Sequence, residues 1–428
     1  MEYYNIKHPE EKVNFKEALL NGQGKDKGLY FPAQTPFLNP YFIENIEHYS
    51  NHEIALNVLS SFMYPVFKDS EILDIIKKAF NFDTPVYRIH EHQHLLSLYE
   101  GPTQAFKDIG ARFMACCLEK LTTEKKVVLV ATSGDTGGAV ANAFYNVKNV
   151  DVVVLFPADG VSIYQKEQMC SLGNNIHPIA IQGDFDDCQA LVKQAFADDS
   201  LSDHLTSANS INIGRLLPQM VYYFWSYKEL KQLNKELVYA VPSGNFGNLT
   251  AGLLAKKMGL PIKRFVAACN ANEVFPRFLK TNEYLPQSTV KTIANAMDVG
   301  NPSNFPRIME MYDQDINALR KDLSSFSYQD EEVLNYMSAF FLKHDMVLDP
   351  HSAIASLSLE EDLQDGEHGV FLGTASPIKF ADVISQAGLR VDMPYHKFGQ
   401  MSYQNIAPDY EKLLDQLSPL FKKSAINE

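Results

Sequence analysis

A lysine behind a glycine-proline turn and an aromatic side chain is the feature of this chain that first points to chemistry. In GPTQAFKD, residues 101–108, Lys107 stands where apolar neighbours strip its water. Burial of that kind disfavours the ammonium and leaves a nucleophilic amine. Such an amine forms a Schiff base with an aldehyde and afterwards carries protons. A lone lysine beside a helix start is more often solvated and inert. The reading therefore depends on what the rest of the chain supplies.

Two further loops supply it, each after a short apolar run that reads as a buried strand. SGNFGN, residues 243–248, lies between a strand pattern at 237–241 and a helical pattern at 249–258. Gly244 and Gly247 let the backbone approach a phosphate, and the N–H groups of Gly244, Asn245, Phe246, Gly247 and Asn248 at a helix start provide the donors. The loop has neither the P-loop nor the GxGxxG pattern, so a single phosphate ester fits better than a nucleotide. GTASP, residues 373–377, places Thr374 at a carboxyl strand end, where a hydroxyl suits a pyridine nitrogen and, unlike an aspartate, does not force it to stay protonated. Taken alone, Thr374 reads equally as a helix cap. Lysine, phosphate cradle and hydroxyl together specify pyridoxal phosphate.

TSGDTG, residues 132–137, offers hydroxyls and backbone donors at another helix start, a seat for a substrate carboxylate through Ser133, Asp135 and Thr136, or simply an N-cap. NSINIGR, residues 209–215, brings Asn212 and Arg215 to a third helix start. There Arg215 can fork onto a phosphate or pair with a carboxylate on a solvated face. His90, His92 and His94 alternate as though on one face of an exposed strand, and without acidic or cysteine partners they make no metal site. No serine sits in a GxSxG elbow, which excludes the common hydrolase arrangement.

The elements that must position these loops follow from composition and period. The chain has 428 residues, 46% hydrophobic, enough for a large core and two or three domains. A net charge of -14 and the absence of a basic run argue against nucleic acid. The five cysteines show no CxxC spacing and read as buried thiols of a reducing compartment. With a charged N-terminus and no apolar run of about eighteen residues, the expectation is a cytoplasmic protein that does not span a membrane.

Short β-branched runs at 126–131, 151–156, 177–181, 237–241, 265–268 and 369–372 alternate with helical patterns at 136–147, 185–196, 213–230 and 249–258. That alternation predicts an α/β fold with mostly parallel twisted sheets flanked by helices. Residues 1–83, with helices expected near 51–63 and 71–80, form an extra N-terminal domain. Residues 84–390 form the catalytic region, with a smaller substrate-binding subdomain at about 100–225, and 391–428 a C-terminal extension. The aperiodic stretch at 281–306 covers the cleft.

In this order, GPTQAFKD, TSGDTGGAVA, SINIGRLLPQ, VPSGNFGNLTAGLLAK, NAMDVGNPSNFPR and FLGTASPIKF resemble the threonine synthase family, from the N-terminus to beyond Thr374. The resemblance implies fold-type II architecture and pyridoxal 5'-phosphate on Lys107. The implied reaction is that of a carbon-oxygen lyase acting on phosphates: O-phospho-L-homoserine and water become L-threonine and phosphate, the last step of threonine biosynthesis. It also implies that Gly244 to Asn248 hold the cofactor phosphate and Thr374 the ring nitrogen, with Ser133, Asp135, Thr136, Asn212 and Arg215 toward substrate. Family members include monomers and dimers, and a monomer is the expectation. One departure stands out: many fold-type II relatives have asparagine at position 135, donating to the cofactor's phenolate oxygen. An ionised Asp135 cannot donate, so it is expected either protonated or turned away.

Overall fold

The computed structural model describes residues 1–392 and 399–421. Two sheets organise the chain. The larger has six strands in the order Leu323–Ser327, Arg264–Cys269, Glu236–Pro242, Glu367–Gly373, Gln93–Ser97 and Val86–His90. Neighbours run parallel except the last pair. The smaller is wholly parallel, in the order Gln404–Ile406, Ile176–Ile181, Val150–Pro157, Lys126–Ala131 and Leu205–Thr206. Central strands read as continuous apolar runs because helices cover both faces. In Val150–Pro157 every residue is buried.

Parallel neighbours require crossovers, and helices provide them. Asp135–Phe144 and Phe185–Ala195 flank the smaller sheet, the second started by a capping box between Asp184 and Asp187. Gly247–Lys257 leads away from the central strand of the larger one. The helix expected over 213–230 is broken into Ile213–Leu216, a 3₁₀ turn at Leu217–Met220 and Val221–Leu230. Pro218 lacks the N–H that a continuous helix would need.

At the N-terminus, helices Asn51–Met63 and Asp69–Ala79 fall where the periodicity places them. A three-stranded antiparallel sheet of Glu2–Asn5, His8–Asn14 and Tyr30–Pro32 accompanies them. Its strand HPEEKVN is too polar to announce itself. Tyr3, Phe15 and Phe62 share one apolar core with Phe113 of the catalytic region, and Tyr3 Oη donates to the Phe62 carbonyl at 2.8 Å. At the other end, in the expected extension over 391–428, Gln404–Ile406 adds an edge strand and Tyr410–Phe421 lays Leu413 and Leu417 against the smaller sheet. Residues 393–398 and 422–428 of that stretch lie outside the described residues.

The three histidines do not share an exposed strand. His90 ends one strand, His92 lies in the hairpin turn, and His94 is buried in the next strand because that strand is covered on both edges. His92 Nδ1 lies 3.3 Å from His368 Nε2. Among the described residues no helix is long and apolar enough to cross a membrane.

Candidate active site

The carboxyl ends of the strands open into a cleft of about 1330 Å3 between the two sheets, with the N-terminal sheet and the 281–306 stretch as further walls. Lys107, Ser133, Thr136, Arg215, Gly244 to Asn248 and Thr374 all line it.

Lys107 begins the helix Lys107–Leu121. The turn before it is tied to Asp108, whose carboxylate accepts from Thr103 N at 2.8 Å and Thr103 Oγ1 at 2.6 Å. A side chain at Gly101 would strike that carboxylate, with a Cβ 2.5 Å from Asp108 Oδ2. The same turn is laced to the loop after Glu367–Gly373. Phe106 N donates to the Thr374 carbonyl at 2.9 Å, Ser376 N to the Gln104 carbonyl at 3.1 Å, and Ala105 bridges Ala375. Thus Lys107 and Thr374, far apart in sequence, are brought together by hydrogen bonds between peptide groups.

Burial lowers the proton affinity of Lys107; Asp135 opposes that effect, and Lys379 and Arg215 add to it. Asp135 Oδ2 is 3.9 Å from Lys107 Nζ, while its Oδ1 lies 2.6 Å from Lys379 Nζ and accepts from Gln165 Nε2 at 3.0 Å. Burial alone would raise this carboxyl, but Lys379 and Lys107 outweigh it and hold Asp135 well below the usual carboxylate range. The two ammonium groups thus favour the carboxylate form of Asp135 over the protonated one, with Oδ2 turned toward Lys107. The buried ammonium of Lys379 is the residue that the sequence reading did not assign.

Gly244 lies against the 295–298 turn, where an added Cβ would come 2.8 Å from Met297 Cα. Asn245 and Asn248 brace the phosphate loop with their side chains: Asn245 Oδ1 accepts from Ser303 Oγ at 3.0 Å, and Asn248 Nδ2 donates to the Pro242 carbonyl at 2.8 Å. The backbone N–H groups from Gly244 to Asn248 find no acceptor among the described residues. Such a row of unpaired donors at a helix start fits one phosphate. Across the cleft, Thr132 Oγ1 accepts from Gly134 N and Gly137 N at 2.9 Å each, and the N–H groups of Ser133, Asp135 and Thr136 find no acceptor among the described residues. Lysine, phosphate cradle and Thr374 hydroxyl make a donor set that fits pyridoxal phosphate.

Arg215 is buried, and no carboxylate among the described residues forms an ion pair with it. It donates to the Ala208 carbonyl through Nη1, its buried Nε has no hydrogen-bond partner among the described residues, and burial pulls its pKa to about 10, opposed by Asp108. The geometry is not that of an arginine on a solvated face. Asn212 does not line the cleft. It caps Ile213–Leu216, and its amide donates to the carbonyls of Leu19 at 2.8 Å and Ser207 at 2.9 Å. Arg307, also unassigned from sequence, is wholly buried. It spans the Tyr30 carbonyl at 2.8 Å, the Ile211 carbonyl at 2.7 Å and Asn304 Oδ1 at 2.8 Å.

Residues 82–372 match the family described as pyridoxal-phosphate dependent enzyme, and residues 2–80 match the threonine synthase N terminus. The chain belongs to the threonine synthase family. Threonine synthase of Serratia marcescens is 45% identical over 404 residues, covering 93% of each chain. The crystal structure of threonine synthase from Escherichia coli superposes with a TM-score of 0.92 at 40% identity, covering 98% of this chain and 100% of that one. Threonine synthase from Brucella melitensis, solved with PLP bound, gives 0.92 at 31% identity, covering 98% and 99%. The α/β architecture with an N-terminal threonine synthase domain and the pyridoxal phosphate dependence are those of this family.

Proposed function

We propose that this chain converts O-phospho-L-homoserine and water to L-threonine and phosphate at the cleft around Lys107, with pyridoxal phosphate attached to that lysine. The observation carrying this reading is what meets in one cleft: Lys107, the buried Arg215, which pairs with no carboxylate among the described residues, and the 244–248 and 133–136 turns, whose N–H groups find no acceptor there. Cations and free donors gathered in this way suit anionic ligands.

Pyridoxal phosphate, when bound, supplies an electron sink that makes the protons on the substrate's α and β carbons labile. Gly244 to Asn248 hold its phosphate through backbone N–H groups, and Thr374 meets the ring nitrogen with a neutral hydroxyl. Burial keeps Lys107 Nζ ready to take the proton from the substrate's α carbon. Ser133 and Thr136 orient the substrate carboxylate, and Asp135 faces Lys107. Arg215, which lines the cleft, stabilises the phosphate that leaves the γ carbon through its charge. The β carbon gives up a proton as the phosphate departs, the γ carbon takes up a proton to become the methyl group, and water adds at the β carbon, so that substrate and water balance threonine and phosphate.

A monomer is the working unit of this reading, and light scattering tests it. The unpaired cysteines, the negative net charge and the biosynthetic role support a cytoplasmic enzyme acting on a small molecule and not on nucleic acid. The test of activity is incubation with O-phospho-L-homoserine while phosphate and threonine are both measured. Equal release of the two is expected. Deamination of serine or threonine without phosphate release would instead make the chain a dehydratase.

A further inference from the structure

Asp135 stands between two lysines, and only one of them is accounted for by the reaction. Lys379 follows the loop that carries Thr374, and its side chain has no exposure at all. Its Nζ donates to the Thr103 carbonyl at 2.8 Å and sits 2.6 Å from Asp135 Oδ1, an oxygen that also accepts from Gln165. With Oδ1 saturated, Oδ2 is left facing Lys107 at 3.9 Å. An ammonium placed so deeply is a poor device for stability alone, since apolar residues of similar volume often serve equally well. At this site its charge acts on the reacting nitrogen through a medium that neither water nor salt screens well.

We propose that Lys379 is a positioning residue of this site: with Gln165 it locks Asp135 as a carboxylate turned toward Lys107, and its charge limits how tightly the nitrogen at Lys107 holds a proton. This rests on the reading that Lys107 carries pyridoxal phosphate. Asp135 supplies a negative neighbour that favours the protonated nitrogen, and Lys379, followed by Arg215, tempers it beside the larger effect of burial. The pair together gives that nitrogen a counter-charge without trapping its proton. Because the three side chains come from distant stretches, the lock forms only when the lysine turn, the 132–137 turn and the 377–380 turn are assembled.

Purified holoenzyme is titrated with pH while the visible band of the bound cofactor is followed. Lys379→Met should move the midpoint upward by about one pH unit, a tenfold gain in proton affinity. Lys379→Arg, which keeps the charge, should restore most of the wild-type midpoint. A residue that only braces the fold would lower the thermal midpoint and leave the spectral titration in place; that result overturns the proposal. If Lys379→Met does not fold, Asp135→Asn is compared with Asp135→Asn/Lys379→Met, neither of which buries an unpaired carboxylate. Loss of the ammonium should again raise the midpoint, and equal midpoints would overturn the assignment. A visible band that persists in Lys107→Ala would instead defeat the underlying reading of Lys107.

Discussion

Arg307 and Arg215 are two guanidinium groups buried in walls of the same cleft, and they are treated in opposite ways. Arg307 ties the N-terminal sheet, the 209–211 turn and Asn304 together through carbonyl and amide oxygens, and burial alone pulls its pKa to about 9. Arg215 has one carbonyl acceptor and an idle Nε. Equal burial with unequal satisfaction separates a fastening from a binding group. The same division holds for the lysines: Lys379 has a carboxylate and a carbonyl within hydrogen-bond distance, whereas among the described residues Lys107 Nζ has a carboxylate oxygen at 3.9 Å and the Phe106 ring at 5.7 Å.

Substitutions can break that division. The largest effect belongs to Lys107→Ala, which should cut turnover by at least about 10⁴-fold and abolish the visible band while the thermal midpoint holds. Borohydride reduction followed by peptide mass mapping checks it, and cofactor still linked to protein would refute the assignment. Next, Arg307→Leu should cost about 3 kcal/mol or more, since several buried carbonyls lose a charged donor at once. Urea denaturation measures this, and an unchanged midpoint would remove Arg307 from the fastening class.

Arg215→Leu should raise KM for O-phospho-L-homoserine by about 10- to 100-fold while cofactor affinity and urea midpoint stay near wild type. Parallel loss of substrate and cofactor would move Arg215 beside Arg307. Gly244→Ala forces a methyl against the Met297 backbone and should cost about 1–3 kcal/mol, read most directly as weakened cofactor binding in equilibrium dialysis.

The smallest effect lies at the far end of the larger sheet. Burial, followed by neighbouring His368 or His92, lowers the pKa of His94 and His368 from 6.5. Depressed imidazoles stay neutral in the fold while the unfolded chain binds protons, so their contribution is complete above pH 6.5 and falls as the pH drops below it. Thermal midpoints across that range should decline, and His368→Gln should flatten the decline. A pH-independent midpoint would show that the two imidazoles titrate alike in both states.

Much of this was legible before folding. The strand expected over 126–131 is Lys126–Ala131, and every loop expected at the site follows a strand into the cleft. Local period and composition encode such features. Lys379 was illegible because what defines it is its surroundings: its carbonyl partner, Thr103, lies 276 residues away. Arg307 stood inside a quoted motif, yet nothing local distinguishes it from a solvated arginine; only the fold brings Tyr30 and Ile211 to it. Asn212 shows the converse, since a polar residue at a helix start reads as a ligand contact until the fold supplies the Leu19 carbonyl.

The stitching of Gln104, Ala105 and Phe106 to Thr374, Ala375 and Ser376 uses peptide groups throughout. A new side chain at position 374 would leave every one of these peptide bonds with its donor and acceptor. Under the role proposed for Thr374, the electronics of the ring would then be open to change by a single codon, with the attachment point inherited intact.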